Sequence, residues 1–270
     1  LMSALTGVLV SAFTQNLPLA IFCGLIMGIV MGIFMGYFHI LMNTNLILTG
    51  VAINTFTRGA TVMILYAFTG DKGSSSLVKS LAVGEVEIPL IKDIPVLGQV
   101  FSGHNGFTYV AFLAVIFTWF LMYRTPLGLR IRAVGENDSA ARSVGENPAA
   151  SKLIALGFSG FFAALGGMYM AMGNMSVFIT NMTGGRGFIG VAADAMGRGN
   201  PIGAMLASLL FGTANAVGNV LQINNFPADM VMAIPYVVSI AGIIIYSAHE
   251  QHKKNSKVRQ AMAAAERGEA

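Results

Sequence analysis

LMSALTGVLVSAFTQNLPLAIFCGLIMGIVMGIFMGYFHILMNTNLILTGVAINTFT, residues 1–57, contains no Asp, Glu, Lys or Arg. Four further runs also lack these charged residues, at 94–123, 153–185, 199–228 and 230–249. The hydrocarbon core of a bilayer is ~30 Å thick, and one helix needs ~20 apolar residues to cross it. The runs have room for several such helices, so the sequence predicts an all-α, polytopic transmembrane helical bundle.

Charge is scarce in this chain and unevenly placed. Charged residues make up 10% of the sequence, against about 25% in a typical soluble domain. The net charge of +4 comes from cations in short segments beside the apolar runs, where they set membrane topology. These features exclude a soluble enzyme, a nucleic-acid-binding protein and a secreted module, and they make membrane lipid the surrounding medium. Cys23 is the single cysteine, so no internal disulfide is possible.

Eight spans are predicted, at about 1–14, 17–37, 45–68, 107–123, 152–173, 177–198, 201–221 and 229–247. The segment 177–198 is unusual because it is rich in glycine, which breaks a helix, and broken helices at membrane depth need a covering of protein or an aqueous cavity. Two interpretations of this segment remain open. It is either a broken membrane helix, or a loop followed by one short helix.

The flanking cations predict the orientation of the spans, since Lys and Arg are enriched in cytoplasmic loops. Five cations in the loop 124–152 and five in the basic tail 248–270 place both segments in the cytoplasm. The long loop 70–106 carries three lysines against four acidic residues, so it is expected outside. Residues 1–247 then form one transmembrane domain.

An internal repeat is visible at an offset of 184 residues. The aligned pairs are Asn16 with Asn200, Ala20 with Ala204, Gly24 with Ser208, Gly28 with Gly212 and Gly32 with Ala216. The predicted topology puts the two copies in opposite orientations, an inverted repeat of the kind found in transporters; chance alignment of small residues is the alternative. If the repeat is real, about two spans are expected before the first residue of this sequence, which gives roughly ten in all.

Two further patterns predict packing and a docking element. Gly24, Gly28, Gly32 and Gly36 recur every four residues and form a groove on one helix face that admits a neighbouring helix. In the loop 124–152, Asp138 or Ser139 is expected to cap a short helix at 140–144, which Gly145 ends. Such a helix at the membrane face suits docking on another protein, although an ordinary loop is the alternative.

Three motifs carry a family resemblance. TPLGLRIRAVGEN (125–137) resembles the signature loop of permease subunits of ATP-binding-cassette importers, in the branch for simple sugars, nucleosides and branched-chain amino acids. GRGFIGVAADAMGRGNPIGA (185–204) resembles a second signature of that branch, and IPYVV (234–238) resembles its last-span motif. The loop is most similar to nucleoside permeases linked to a BMP-type lipoprotein. The resemblance extends over about 1–247, lacks the family's first one or two spans, and departs from the pattern at Asp194 and Gly199.

The resemblance implies a coupling helix in the loop 124–152 that contacts an ATPase subunit. The contact residues carried over by position are Gly135, Glu136, Asn137, Ala140, Ala141, Arg142 and Gly145. It also implies three partners: a cytoplasmic ABC ATPase, an extracytoplasmic substrate-binding lipoprotein, and a second permease chain, identical or homologous. No lysine follows a glycine, so this chain has no phosphate-binding Gly-x-x-x-x-Gly-Lys motif. We therefore expect ATP hydrolysis on the partner subunit and no cofactor in this chain. The four histidines, His39, His104, His249 and His252, are dispersed, so no metal site or catalytic residue is expected.

Polar residues within spans are candidates for the substrate path. Arg58 and Asp194 are expected to face the bundle interior, because an ionised side chain in lipid costs at least ~2.5–3.5 kcal/mol; a structural role is the alternative. Hydroxyl and amide groups suited to a sugar or nucleoside are supplied by Asn54, Thr57, Asn174 and Asn181. The predicted function is import of nucleosides or simple sugars. The alternatives are an ion-coupled secondary transporter and an ABC permease for branched-chain amino acids.

Overall fold

The structure is a computed structural model that describes residues 1–86 and 102–223. The predicted span 229–247, the tail 248–270, the motif at 234–238 and part of the predicted external loop lie outside these ranges. The described helices are α1 (Met2–Thr14), α2 (Leu17–Leu41), α3 (Leu46–Thr69), α4 (Gly106–Arg124), α5 (Pro126–Glu136), α6 (Asp138–Ser143), α7 (Pro148–Met168), α8 (Arg186–Gly197) and α9 (Pro201–Ile223). A π-helical turn, Tyr169–Asn174, extends α7. The predicted all-α fold is confirmed.

Five helical segments are long and apolar enough to cross a bilayer within the described ranges. They are Leu17–Leu41, Leu46–Thr69, Gly106–Arg124, Pro148–Asn174 and Pro201–Leu221, which confirms five of the predicted spans. The predicted span 1–14 is an apolar helix of 13 residues, or about 20 Å at 1.5 Å per residue.

The predicted span at 177–198 is corrected. Residues 175–185 form turns, and only the 12 residues of α8 are helical, a length of about 18 Å. Gly184 and Gly185 have φ values of +48° and +81°, which glycine adopts without steric cost and a helix does not contain. Of the two interpretations, the loop followed by one short helix is right.

The chain divides into two compact units, Leu1–Gly184 and Gly185–Ala270. In the first unit, the packing predicted for the glycine row of α2 is confirmed. A methyl group built on Gly28 would lie 2.5 Å from the Gly160 carbonyl oxygen of α7, and one on Gly36 would lie 2.8 Å from Leu153 Cδ1. A Cβ atom has no room at Gly28, where the obstacle is backbone, so the two helices approach backbone to backbone there; at Gly36 the obstacle is the end of a leucine side chain, which can move.

The two units contain matching helix pairs. Shifted by 184 residues, α1 coincides with α8 and the start of α2 coincides with the start of α9. Asn16 Oδ1 accepts a hydrogen bond from Leu19 N at 3.3 Å, and Asn200 Oδ1 accepts one from Ile202 N at 3.0 Å. The residue before each asparagine, Gln15 or Gly199, has a positive φ of 49° or 65°. Local structure thus supports the repeat, while its inversion stays a prediction.

One end of the first unit is built from two distant segments. Ser75 N donates to Phe178 O, and Phe178 N donates to Ser75 Oγ, both at 2.8 Å. Thr180 N donates to Gly73 O at 3.0 Å. A short strand β1 (Glu85–Val86) pairs antiparallel with β2 (His104–Asn105) at this end. The segment after α3 and the segment after α7 therefore lie on the same side of the membrane, as the predicted topology requires.

Candidate functional site

The loop 124–152 begins with a sharp reversal of the chain. Thr125 ends α4 and caps α5: its Oγ1 donates to Leu121 O at 2.6 Å and accepts from Gly128 N at 3.2 Å. A methyl group on Gly128 would lie 2.5 Å from Met122 Cα, so only glycine fits at this position. The reversal lays α5, an 11-residue helix that the sequence did not predict, back against the end of α4.

The short helix of the loop is present, with a different cap from the one predicted. It spans Asp138–Ser143, and Asn137 Oδ1 accepts from Ser139 N at 2.9 Å and Ala140 N at 3.1 Å. Asn137 is extended and so lies one residue outside the helix, in the position where an amide oxygen satisfies the first free N–H groups. The predicted stop at Gly145 is confirmed by its φ of +86°.

Two ion pairs brace the loop. Arg130 Nε lies 2.9 Å from Glu146 Oε1, which joins α5 to the turn before α7. Lys152 Nζ pairs with Asp138 Oδ2, which joins α7 to α6. Each pair thus links two elements of the loop, and the second joins the loop to α7.

A duplicated tetrapeptide organises the loop. Val-Gly-Glu-Asn occurs at 134–137 and again at 144–147. Each asparagine caps the helix that follows, since Asn147 Oδ1 accepts from Ala149 N at 3.1 Å as Asn137 does in the first copy. The surroundings of the two valines are opposite: Val134 is 3% exposed and Val144 is 80% exposed. The second copy therefore presents its valine on the surface beside the capped helix, whereas the first copy buries it.

The predicted contact residues do not all lie on the surface. Ala141 is 3% exposed and packs inside the loop, so its side chain is unavailable to a partner. The exposed residues are Gly135, Glu136, Asn137, Ala140, Arg142 and Gly145. The sequence did not single out Val144 or Leu129, which is 62% exposed. The duplicated tetrapeptide was the available signal for Val144.

The predicted path residues of α3 divide between two faces. Thr57, Thr61 and Leu65 are buried and form the packed side of the helix. Asn54 and Arg58 are exposed on this chain, and the expectation that Arg58 faces the interior of the assembled bundle stays a prediction. They share a face because they are four residues apart, and α3 therefore carries an amide and a guanidinium on its outer side near mid-helix.

The other predicted path residues lie elsewhere. Asn174 ends the π-helical turn, and Asn181 lies in a turn with a positive φ of 59° rather than within a span. Both are exposed at the end of the first unit formed by the segments after α3 and α7. Asp194 is exposed on α8 in the second unit, so it does not face that unit's interior. Within the first unit, the structure thus does not bring the five predicted path residues together.

No group of three or more His, Cys, Asp or Glu side chains that suits a metal ion occurs within residues 1–86 and 102–223. His39 Nδ1 lies 2.7 Å from Thr44 O, a local contact at the end of α2. His104 lies on β2, and His249 and His252 lie outside the described residues.

Comparison with known proteins places these features in a family. The model of the family described as "Branched-chain amino acid transport system / permease component" matches residues 1–244. The guanosine ABC transporter permease protein NupQ of Bacillus subtilis is 34% identical over 200 residues, covering 72% of this chain and 62% of its own. The nucleoside ABC transporter permease protein NupC of Lactococcus lactis is 33% identical over 205 residues, covering 74% and 64%.

A putative glucose ABC transporter permease protein of Haloferax volcanii is 28% identical over 222 residues, covering 80% of this chain and 65% of its own. The chain thus matches a little under two thirds of the length of these relatives. No solved structure matches. The match over residues 1–244, together with the membrane-spanning helices and the loop between α4 and α7, shows that the chain belongs to the branched-chain amino acid transport system permease family of membrane proteins.

Proposed function

We propose that this chain is a membrane-spanning permease subunit of an ATP-binding-cassette importer for nucleosides. The observation that carries the proposal is the loop 124–152, which lies between the membrane helices α4 and α7. It contains a capped helix and an exposed Val144, and two ion pairs link its elements. A rigid, exposed element of this kind transmits the movement of a docked subunit into the bundle. The relatives are named as ABC transporter permease proteins, and these names support the proposed class of transporter.

Nucleosides are the proposed substrate class because NupQ and NupC, both more than 30% identical to this chain, are named for guanosine and nucleoside transport. One glucose permease is 28% identical over 222 residues, a second is 31% identical over only 159 residues, and a ribose permease is 26% identical over 137 residues. Simple sugars are the second candidate. A nucleoside contains a ribose, so hydroxyl recognition is common to both classes.

Three partners complete the proposed transporter. A cytoplasmic ATPase docks on the loop 124–152 and hydrolyses ATP, and an external lipoprotein delivers the substrate. A second permease chain, identical or homologous, covers the outer side of α3. This last assignment follows from Arg58, whose exposed guanidinium would be costly in lipid and is satisfied by a protein partner or an aqueous path.

The proposed mechanism needs a stiff connection between the ATPase and the membrane helices. The Arg130–Glu146 pair links α5 to the start of α7, and the Lys152–Asp138 pair links α7 to α6. Displacement of α6 by ATPase closure then moves α4 and α7 together, since they flank the loop. The substrate site opens to alternate sides through the resulting shift in population between two arrangements.

The experiment uses the complete transporter with the Glu136→Ala/Arg142→Ala variant. Both side chains are exposed, so the variant should assemble in normal amounts and leave substrate binding by the lipoprotein unchanged. We expect substrate-stimulated ATP hydrolysis to become uncoupled from uptake. Normal stimulation and normal uptake in the variant would contradict the assignment of the loop.

A further inference from the structure

The end of α4 carries two aromatic rings and, with α5, two arginines. We call these residues the aromatic–arginine cluster: Trp119, Tyr123, Arg124 and Arg132. The centroids of the Trp119 and Tyr123 rings lie 6.4 Å apart. Arg124 Cζ lies 5.9 Å from the Trp119 ring centroid, and Arg132 Cζ lies 4.8 Å from the Tyr123 ring centroid. Each guanidinium is therefore within reach of a cation–π interaction with one ring.

The chain reversal at Gly128 builds this cluster. Arg132 is nine residues beyond Tyr123 in the sequence and would lie far from it on a continuous helix. Because α5 folds back against the end of α4, Arg132 reaches the Tyr123 ring. The two arginines therefore lie beside one pair of rings, although they come from different helices.

The cations of the loop fall into two groups with different partners. Arg130 and Lys152 pair with carboxylates within the loop. Arg124 and Arg132 form no ion pair among the residues that the structure describes, and both are exposed. A guanidinium that lies over a ring keeps N–H donors at its edge for a planar, bidentate contact with a phosphate oxyanion.

The position of the cluster indicates the source of that phosphate. Arg124 is the last residue of a membrane-spanning helix, so its side chain is at headgroup depth. Trp and Tyr are enriched at this depth, and the cytoplasmic leaflet is rich in anionic lipid. The surface proposed for the ATPase lies further along the loop and consists of Glu136 at the end of α5, the helix α6 and Val144.

We propose that the aromatic–arginine cluster is a binding site for the phosphate headgroup of an anionic phospholipid. The bound headgroup holds the end of α4 and the folded-back α5 at the membrane surface. This site depends on the loop 124–152 lying at the cytoplasmic membrane surface. It does not depend on which solute is transported, so it is tested independently of the proposed function.

The experiment measures the affinity of the purified full chain for lipid. Phosphatidylglycerol is titrated from nanodiscs or mixed micelles into wild type and into the Arg124→Gln/Arg132→Gln variant, with phosphatidylcholine and inorganic phosphate as separate ligands. Two controls accompany it. Lys253→Gln/Lys254→Gln removes the same charge from the tail, and Arg124→Lys/Arg132→Lys keeps the charge but loses the planar guanidinium. The folded fraction of each variant is measured by gel filtration.

We expect wild type to prefer phosphatidylglycerol over phosphatidylcholine and to bind inorganic phosphate far more weakly. The glutamine variant should lose affinity for phosphatidylglycerol by roughly ten- to thirtyfold, the lysine variant should lose less, and the tail variant should bind as wild type does. Undiminished binding by the folded glutamine variant would overturn the proposal. So would an equal loss in the tail variant, inorganic phosphate binding as tightly as the lipid, or a loss of ATPase association with lipid binding intact. If the glutamine variant does not fold, the lysine variant tests the proposal. Unchanged affinity of the lysine variant for phosphatidylglycerol would contradict recognition of the headgroup by the guanidinium groups.

Discussion

Gly28 of α2 and Gly160 of α7 meet without side chains between them: a methyl group on Gly28 would lie 2.5 Å from the Gly160 carbonyl oxygen. In lipid, helices associate through close packing of small residues because no hydrophobic effect separates them from the acyl chains. Gly28→Ala should therefore force the helices apart and destabilise the bundle, by about 1–3 kcal/mol if the cost is that of an overpacked core. The amount of folded protein in the membrane measures this effect.

Gly59 of α3 supplies the matched control, because no atom lies within 4 Å of a methyl group built there. Gly59→Ala adds the same group to a helix and removes the flexibility of glycine, which favours the helix by about 1 kcal/mol. Its membrane abundance should equal or exceed that of wild type. Equal losses in the two variants would show that α2 and α7 do not approach at Gly28.

The duplicated tetrapeptide allows a paired test of the loop. Val144→Asp places a carboxylate on the proposed ATPase contact without disturbing the chain, since Val144 is 80% exposed. We expect normal membrane abundance and at least a severalfold loss of ATPase association, measured by co-purification. Val134→Asp buries a charge at a position 3% exposed, so its main effect should be loss of folded protein. Normal ATPase binding by Val144→Asp would remove this residue from the contact surface.

The Arg130–Glu146 pair is expected to matter for coupling more than for stability. Its side chains are 59% and 27% exposed, and a pair of this kind contributes roughly 0–1 kcal/mol. Arg130→Glu should leave membrane abundance nearly unchanged while uptake per hydrolysed ATP falls. The reversed pair Arg130→Glu/Glu146→Arg should recover coupling. Failure of the reversal, with both variants folded, would show that the ion pair itself does not transmit the movement.

A variant of Arg58 distinguishes a role of this residue in the substrate path from a role in assembly. It lies on the outer side of α3 together with Asn54, where a second permease chain or an aqueous path is expected. Arg58→Met should leave membrane abundance and ATPase binding normal while the initial uptake rate falls. Reduced abundance with unchanged transport per molecule would assign Arg58 to structure alone.

Cysteine labelling tests the topology on a background in which Cys23 is replaced by Ala. Ser75 is fully buried and is a poor reporter, whereas Leu77 is 72% exposed in the same segment. A membrane-impermeant reagent added outside should label Leu77→Cys and leave Ser256→Cys of the tail unlabelled, which requires the segment 175–198 to complete one crossing with only the 12 helical residues of α8. The reverse pattern would overturn the orientation of the loop 124–152 as well.

The sequence predicted those parts of the fold that depend mainly on one physical effect. Runs without charge predicted the membrane helices, and the glycine row of α2 predicted its packing, because burial in lipid and close backbone approach leave direct marks on composition. The glycines at 184 and 185 marked the start of α8, but their conformation was needed to choose between two interpretations.

Features that depend on backbone conformation or on a partner were harder to predict. The helix α5 follows from a reversal that depends on Thr125 and Gly128 meeting the end of α4, which no periodicity reveals. The cap was placed at Asp138 or Ser139 instead of Asn137, because adjacent polar residues are equally suitable until backbone conformation is known. The exposure of Arg58 could not be predicted, because the sequence of one chain does not distinguish a residue that faces its own interior from one that faces a partner subunit or an aqueous path.

Uptake of radiolabelled guanosine into proteoliposomes that contain the complete transporter tests the central claim most directly. With ATP supplied to the ATPase side and ion gradients collapsed by ionophores, we predict uptake that requires ATP, the ATPase subunit and the lipoprotein. The variant Glu136→Ala/Arg142→Ala should hydrolyse ATP without accumulating guanosine. Guanosine uptake that proceeds without ATP and stops when ion gradients collapse would contradict the account.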